Sequence, residues 1–155
     1  MTTIFDTAKY ILHKSGKTNL WKLQKLCYYA QAWEIAWTKT PLFEEDCEAW
    51  DSGPVYPSLL QELKGKFIIG ENDLKHGNPG NLTNDQKNDI GIILRDYGNM
   101  KPYELKELAK SENPWKQARS RQPEKTACNA IITKGSMGMY YRRIQRRSIN
   151  RRTKT

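Results

Sequence analysis

The stretch from Leu20 to Thr38 constrains this fold most, because its apolar residues cover more than one face of a helix. An ordinary surface helix carries a single apolar stripe, whereas a helix that is apolar on several sides is buried on several sides. Thr18 or Asn19 is suited to cap its start. The Thr40-Pro41 pair stops the helix, because the residue before a proline avoids helical geometry. The sequence therefore predicts a central, buried core helix.

Shorter elements are predicted around this helix. Helices are expected over 2–15, from Pro57 to about 64, from Thr83 to about 97, from Lys101-Pro102, near Pro114-Trp115, and from a Ser136 cap to about 147. Short strands are expected at 45–50 and 67–69, an extended or strand-like segment at 126–133, and a surface loop at 70–82. The predicted class is mainly α, or α+β with one or two short strands, in a compact single domain around the central helix. The length favours one domain, 1–147, followed by a tail, 148–155.

The positive charge is concentrated at the C-terminal end of the sequence. Of the net charge of +9, the last fourteen residues contribute +7, so the other 141 residues carry only +2. The tail is predicted to be disordered. Three interpretations remain open: a solvated extension, weak salt-dependent attraction to nucleic acid, and docking on an acidic partner. Helical spacing indicates a basic stripe formed by Arg142, Arg143, Arg146 and Arg147.

Several classes of protein are disfavoured by what the sequence lacks. Its three cysteines, Cys27, Cys47 and Cys128, are odd in number and widely spaced, which indicates a reducing cytoplasm and not a disulfide framework. The two histidines lie far apart, so no metal site is expected. There is no apolar run that would span a membrane and no signal-peptide pattern. Because no catalytic or cofactor motif is present either, we expect neither catalysis nor a cofactor.

The most informative residues lie on the predicted core helix and in the segment that follows it. Lys22, Lys25 and Tyr29 are candidates for an exposed face that binds a partner, and Trp50 and Tyr56 either pack inward or line a partner groove. A structural role is expected for Leu23, Gln24, Leu26, Tyr28, Gln31, Trp33, Gly53, Pro54 and Trp115. Gln24 and Gln31, if buried, are expected to hydrogen-bond to backbone near the Gly-Pro-Val turn.

Five segments of residues 2–145 together resemble the Panacea family, which is SocA- or GepA-like. They are IFDTAKYIL, TNLWKLQKLCYYAQAWEIAW, PLFEEDCEAWDSGPVYP, LKELAKSENPW and AIITKGSMGMYY. The second is close to the family's KLQKLLYYAQAW run, and the third fits a pattern of PLF, then AW, then GPV. The chain departs from the family at Ala109-Lys110, where the family tends to have Thr-His.

The resemblance implies a mainly helical antitoxin or adaptor that binds and neutralises a protein toxin. It also implies delivery of that toxin to a bacterial unfoldase-protease in the SocA-like branch, and an association with phages. One alternative is a phage counter-defence protein that inhibits a host nuclease or CRISPR effector, since function lies on the surface and not in the fold. A second alternative is a nucleic-acid-binding regulator.

Overall fold

The computed structural model describes residues 2–120 and 129–145. Over these ranges the chain forms seven α-helices: α1 (Ile4–Ser15), α2 (Leu20–Thr38), α3 (Pro57–Glu62), α4 (Asn84–Tyr97), α5 (Pro102–Lys110), α6 (Asn113–Ala118) and α7 (Lys134–Gln145). Five short strands accompany them: β1 (Thr18–Asn19), β2 (Cys47–Trp50), β3 (Gly53–Val55), β4 (Ile68–Ile69) and β5 (Ile131–Ile132). The predicted mainly helical, single-domain class is confirmed.

Helix α2 is the centre of the molecule, as its all-round apolar sequence predicts. Helices α1, α4, α5 and α7 all pack against it, and every residue from 23 to 36 is buried. Its first turn is capped by Asn19, whose Oδ1 accepts hydrogen bonds from the backbone N–H of Trp21 (2.7 Å) and of Lys22 (3.2 Å). It ends at Lys39, which adopts a left-handed conformation with φ 63° and donates its N–H to the carbonyl of Ile35.

The strands form two small antiparallel sheets, and they outnumber the one or two strands that the sequence predicts. Strand β2 lies between β3 and β5, and β1 pairs with β4. Within the first sheet, Trp50 is opposite Gly53 and Ala49 is opposite Pro54. Proline is tolerated there because β3 is an edge strand, where a missing N–H donor leaves no ladder bond unmade.

The segment 70–82, predicted to be a surface loop, is anchored to α1. It contains two 3-10 turns, at Glu71–Asp73 and Pro79–Asn81, and it buries Leu74 and Leu82. The carboxylate of buried Asp6 accepts hydrogen bonds from the backbone N–H of Asn78 (2.8 Å) and from the side-chain amide of Asn81 (3.2 Å). The segment is therefore part of the packed domain.

The last helix begins three residues earlier than predicted. The hydroxyl of Thr133, and not that of Ser136, caps it by accepting a hydrogen bond from the backbone N–H of Ser136 at 3.1 Å. Arg146, Arg147 and the predicted tail, 148–155, lie outside the described residues.

Candidate partner-binding groove

Two buried glutamines connect α2 to the chain that follows it. Gln24 exchanges two hydrogen bonds with the backbone of Tyr56, since its Oε1 accepts from the N–H (2.7 Å) and its Nε2 donates to the carbonyl (3.1 Å). Gln31 does the same for the segment before β2, with its Oε1 2.7 Å from the N–H of Leu42 and its Nε2 2.7 Å from the carbonyl of Phe43. The expected bonds near the Gly-Pro-Val turn are therefore confirmed for Gln24, whereas Gln31 bonds elsewhere.

Gly53, in the turn that Gln24 holds in place, lies directly over the side chain of Lys25. Its φ is +103°, which side-chain-bearing residues rarely adopt, and a Cβ at this position would lie 2.9 Å from Cε of Lys25. Only glycine satisfies both the backbone conformation and the close approach. Lys25 is consequently 1% exposed, so the expectation that it belongs to an exposed face is wrong.

The ammonium group of Lys25 has no counter-ion within residues 2–120 and 129–145. Its Nζ lies 5.6 Å from the centre of the Trp21 ring, and no hydrogen bond or ion pair holds it within those ranges. Burial lowers the pKa of Lys25 from 10.5 to about 8. Two ionisable neighbours act on its pKa in opposite directions: Cys47, the stronger of the two, raises the pKa, and Lys106 lowers it. The nearby Cys47 thiol has a pKa raised by burial and remains neutral.

The tip of Lys25 forms the floor of an open groove between the β2–β3 turn and α5. A cleft of about 260 Å³ lies over it, and it shares Ser52 and Lys106 with a second cleft of about 850 Å³. We call the combined feature the lysine groove and define it by Trp21, Lys25, Trp50, Ser52, Tyr103 and Lys106. Tyr103 is 63% exposed and presents its ring at the edge of the smaller cleft.

The wall of the groove that carries Trp50 is fixed from behind by α6 and the residue after it. Trp115 donates its indole N–H to the carbonyl of Trp50 (2.8 Å), and Arg119 donates from Nη1 to the carbonyl of Ala49 (2.8 Å). Trp115 is therefore the buried anchor that the sequence predicts. Arg119 is buried, and its guanidinium stacks 5.0 Å from the Trp115 ring centre.

The acidic residues that line the groove already have partners. The Glu48 carboxylate accepts a hydrogen bond from the indole N–H of Trp50 at 2.8 Å, and Asp51 lies 4.0 Å from the Arg119 guanidinium. Lys106 and Lys110 line the larger cleft beside them. Because Lys106 lies 3.9 Å from the Glu107 carboxylate, Lys25 is the buried groove cation without a carboxylate partner among residues 2–120 and 129–145.

Tyr29 belongs to a buried polar cluster and not to a partner-binding face. It is 0% exposed, and its hydroxyl donates to Oε1 of Glu112 at 2.7 Å. The Tyr141 hydroxyl donates to the same oxygen at 2.7 Å and lies 3.2 Å from the Tyr28 hydroxyl. Desolvation raises the pKa of Glu112, although the two hydroxyl donors act in the opposite direction. The cluster joins α2 to α7 through the residue before α6.

A family model described as "Antitoxin SocA-like, Panacea domain" matches residues 23–116. The chain belongs to this SocA-like antitoxin family. No curated protein and no solved structure matches the chain. The matched part of the Panacea domain contains α2 from Leu23 onward, the β2–β3 hairpin, α5 and Trp115. All residues that define the lysine groove lie within it except Trp21.

The remaining predicted site residues of this Panacea domain are dispersed. Lys22 is half-buried and donates from Nζ to the carbonyl of Gly98 at 2.6 Å. Arg142 donates to the carbonyls of Ala36 and Ile35 at the C-terminal end of α2, so it supports the fold, whereas Arg143 is exposed. Tyr56 is 0% exposed and is not available to line a partner groove. The residues expected to be structural are all buried: Leu23, Gln24, Leu26, Tyr28, Gln31, Trp33, Gly53, Pro54 and Trp115.

Of the candidate partner-binding residues, the groove brings together Lys25 and Trp50. Sequence reasoning missed Trp21, Tyr103 and Lys106. A signal was present for the last two: Tyr103, Lys106 and Lys110 recur at spacings of three and four along α5, on the side away from buried Leu105 and Ala109.

Metal binding and membrane insertion can both be checked over residues 2–120 and 129–145 of the Panacea domain. Neither range contains a group of three or more histidine, cysteine, aspartate or glutamate side chains placed to hold a metal ion. Among the helices of these same ranges, none combines the length and hydropathy of a membrane span.

Proposed function

We propose that this protein is an antitoxin that binds a protein toxin and neutralises it by direct contact, without catalysis. The observation that carries the proposal is the lysine groove: within a Panacea domain, an open surface combines an exposed tyrosine and two half-buried tryptophans with a cation that has no counter-ion among the described residues. Tyrosine and tryptophan dominate the energetics of protein interfaces, and lysines at the rim accelerate association with an acidic partner.

The proposal includes a cytoplasmic location and delivery of the toxin to an unfoldase-protease. Cys27 and Cys47 are buried free thiols, which suits a reducing compartment. Delivery predicts that the toxin disappears from cells when antitoxin and protease are both present. Simple inhibition predicts a stable complex at an unchanged toxin level. Immunoblots of toxin in protease-deficient and wild-type cells separate the two modes.

The experiment that tests the function is co-expression with the product of the reading frame adjacent to this gene. We expect the product alone to stop growth, and we expect the antitoxin to restore growth and to co-elute with it in size-exclusion chromatography. Tyr103→Ala should weaken the rescue. Phe67→Ala is the matched control, because Phe67 is a similarly exposed aromatic residue (60%) that does not line the groove.

Two results would contradict the proposal. One is the absence of both a complex and a growth rescue with the adjacent product. The other is rescue that Phe67→Ala and Tyr103→Ala reduce equally, because the groove would then have no special part in binding.

A further inference from the structure

We propose that the lysine groove receives an acidic segment of the partner protein, and that an aspartate or glutamate carboxylate of this segment pairs with Nζ of Lys25 at the groove floor. This inference rests on the proposed function, in that the partner is the toxin. It adds the chemistry that the partner must present and the residue that recognises it.

Lys25 places a buried positive charge at the floor of the groove. A buried charge is normally paired, because removing it from water without a counter-ion is costly. Lys25 is 1% exposed, yet no carboxylate approaches it within the described ranges, and its contact with Trp21 is with a neutral ring. The two groove carboxylates, Glu48 and Asp51, lie beside Trp50 and Arg119 instead. An anion supplied from outside would complete the site.

The cleft over Lys25 has the size and lining that an acidic side chain needs. A volume of about 260 Å³ accommodates one side chain and its backbone, but not a whole helix. Its walls include Trp21, Pro102 and Tyr103, which offer apolar surface to the methylene groups of an acidic side chain. Lys106 lies at the junction with the larger cleft, where Lys110 continues the positive charge. The occupant is therefore an acidic residue flanked by further residues that run toward Lys110.

The turn at Gly53 makes room for the side chain of Lys25. Gly53 has a conformation that favours glycine, and it places its backbone against Cε of Lys25, where a Cβ would lie at 2.9 Å. This contact packs the turn against the end of the Lys25 side chain, next to the cleft that Lys25 and Ser52 both line. A pre-positioned ammonium group loses little conformational freedom when it meets a carboxylate.

The first test measures the affinity of the antitoxin for the co-purified toxin by calorimetry. Lys25→Met, which keeps the length of the side chain but removes the charge, should weaken binding by at least about 30-fold, as the loss of one member of a desolvated charge pair does. Lys14→Met, on the exposed part of α1, is the control and should bind like the wild type.

The outcomes of this test separate the two proposals. If the wild-type protein binds no toxin, the proposed function falls, and this inference falls with it. If the wild-type protein and Lys25→Met bind the toxin equally well, the groove inference is overturned while the antitoxin function stands.

The second test needs no toxin. The pKa of the Lys25 ammonium group is measured by NMR of lysine-labelled protein in the presence of three different ligands. They are an end-capped pentapeptide that has a glutamate between leucines, the same peptide with glutamine in place of glutamate, and acetate. We expect only the glutamate peptide to raise the pKa above about 8. If acetate raises the pKa of Lys25 as much as the glutamate peptide does, the groove binds small anions and not an acidic segment. If neither peptide raises this pKa, the groove does not bind a carboxylate. Both results overturn the inference.

Discussion

Replacing Lys25 with methionine should stabilise the isolated protein while it weakens partner binding. The lysine has a pKa of 10.5 when solvated and about 8 in the fold. At about 1.36 kcal/mol per unit, its buried charge costs the native state about 3 kcal/mol at neutral pH. Methionine fills similar space without a charge, and it gives up a cation–π contact with Trp21 of roughly 0.5–1 kcal/mol. We therefore expect the free energy of unfolding to rise by about 2 kcal/mol.

The gain should depend on pH in a defined direction. Below pH 8 the lysine is protonated in both the folded and the unfolded chain, so its full cost is present. Between about pH 8 and pH 10.5 the native state releases the proton while the unfolded chain retains it, so the wild type becomes more stable relative to the variant. The advantage of Lys25→Met should consequently shrink across this window and vanish above it. Buried tyrosines titrate in both proteins alike, so the difference between the two isolates Lys25.

Urea denaturation followed by far-UV circular dichroism at several pH values measures this difference. An unchanged slope with urea would show that the variant altered stability and not the size of the folded unit. Lys14→Met serves as the control and should stay within about 0.5 kcal/mol of the wild type. A clear loss of stability in Lys25→Met, or a gain that does not vary with pH, would refute the reasoning. Either result would mean that the ammonium group is already satisfied in the isolated fold.

Three further predictions concern the supports of the groove and the core. Gly53→Ala should lower the thermal midpoint, with a loss of about 2 kcal/mol in stability from its positive φ and its contact with Lys25. In thermal denaturation, the double variant with Lys25→Ala should recover part of this loss. The absence of any recovery would contradict the close approach of the two residues. Tyr141→Phe should cost about 1–3 kcal/mol in urea denaturation, because it removes a donor to the buried Glu112 carboxyl group. Glu112 has a raised pKa in the fold, so its proton-linked stabilisation is present below pH 4.5 and is lost as the pH rises through the native value. Urea denaturation of Glu112→Gln at several pH values from below 4.5 upward should show no such loss of stability. A pH profile identical to that of the wild type would contradict the role of Glu112.

The central helix was predictable because its signals are local. All of them lie in one short stretch of sequence: a long apolar segment, an asparagine before it and a Thr-Pro pair after it. Strand β4 was predicted at 67–69, but its partner β1 was not, because β1 has only two residues and forms through this pairing. Thr18 pairs with Ile69, and the two residues of β1 are too few to show an alternating pattern.

The candidate site was predicted only in part, and the errors have one physical cause. Lys22, Lys25 and Tyr29 on α2 were expected to form an exposed face. A helix in the middle of a domain is covered by other elements on all sides, so this face is buried or half-buried. Tyr29 meets Glu112, which lies 83 positions away, and Lys25 is covered by the turn at Gly53. Such contacts depend on which distant segment of the chain packs against the helix, and helical periodicity carries no information about that. The spacing of Tyr103 and Lys106 on α5, by contrast, was readable from the sequence.

Lys25 and Gly53 are best understood together. Each is a cost to the isolated fold: the lysine is a buried cation without an anion among the described residues, and the glycine adds backbone freedom to the unfolded chain. A sequence selected for stability alone would replace the lysine with an apolar residue of the same length. Proteins tolerate such costs where a binding or reacting group has to be held ready. Because both costs meet beneath the same aromatic groove, the simplest account is that the missing anion belongs to another protein.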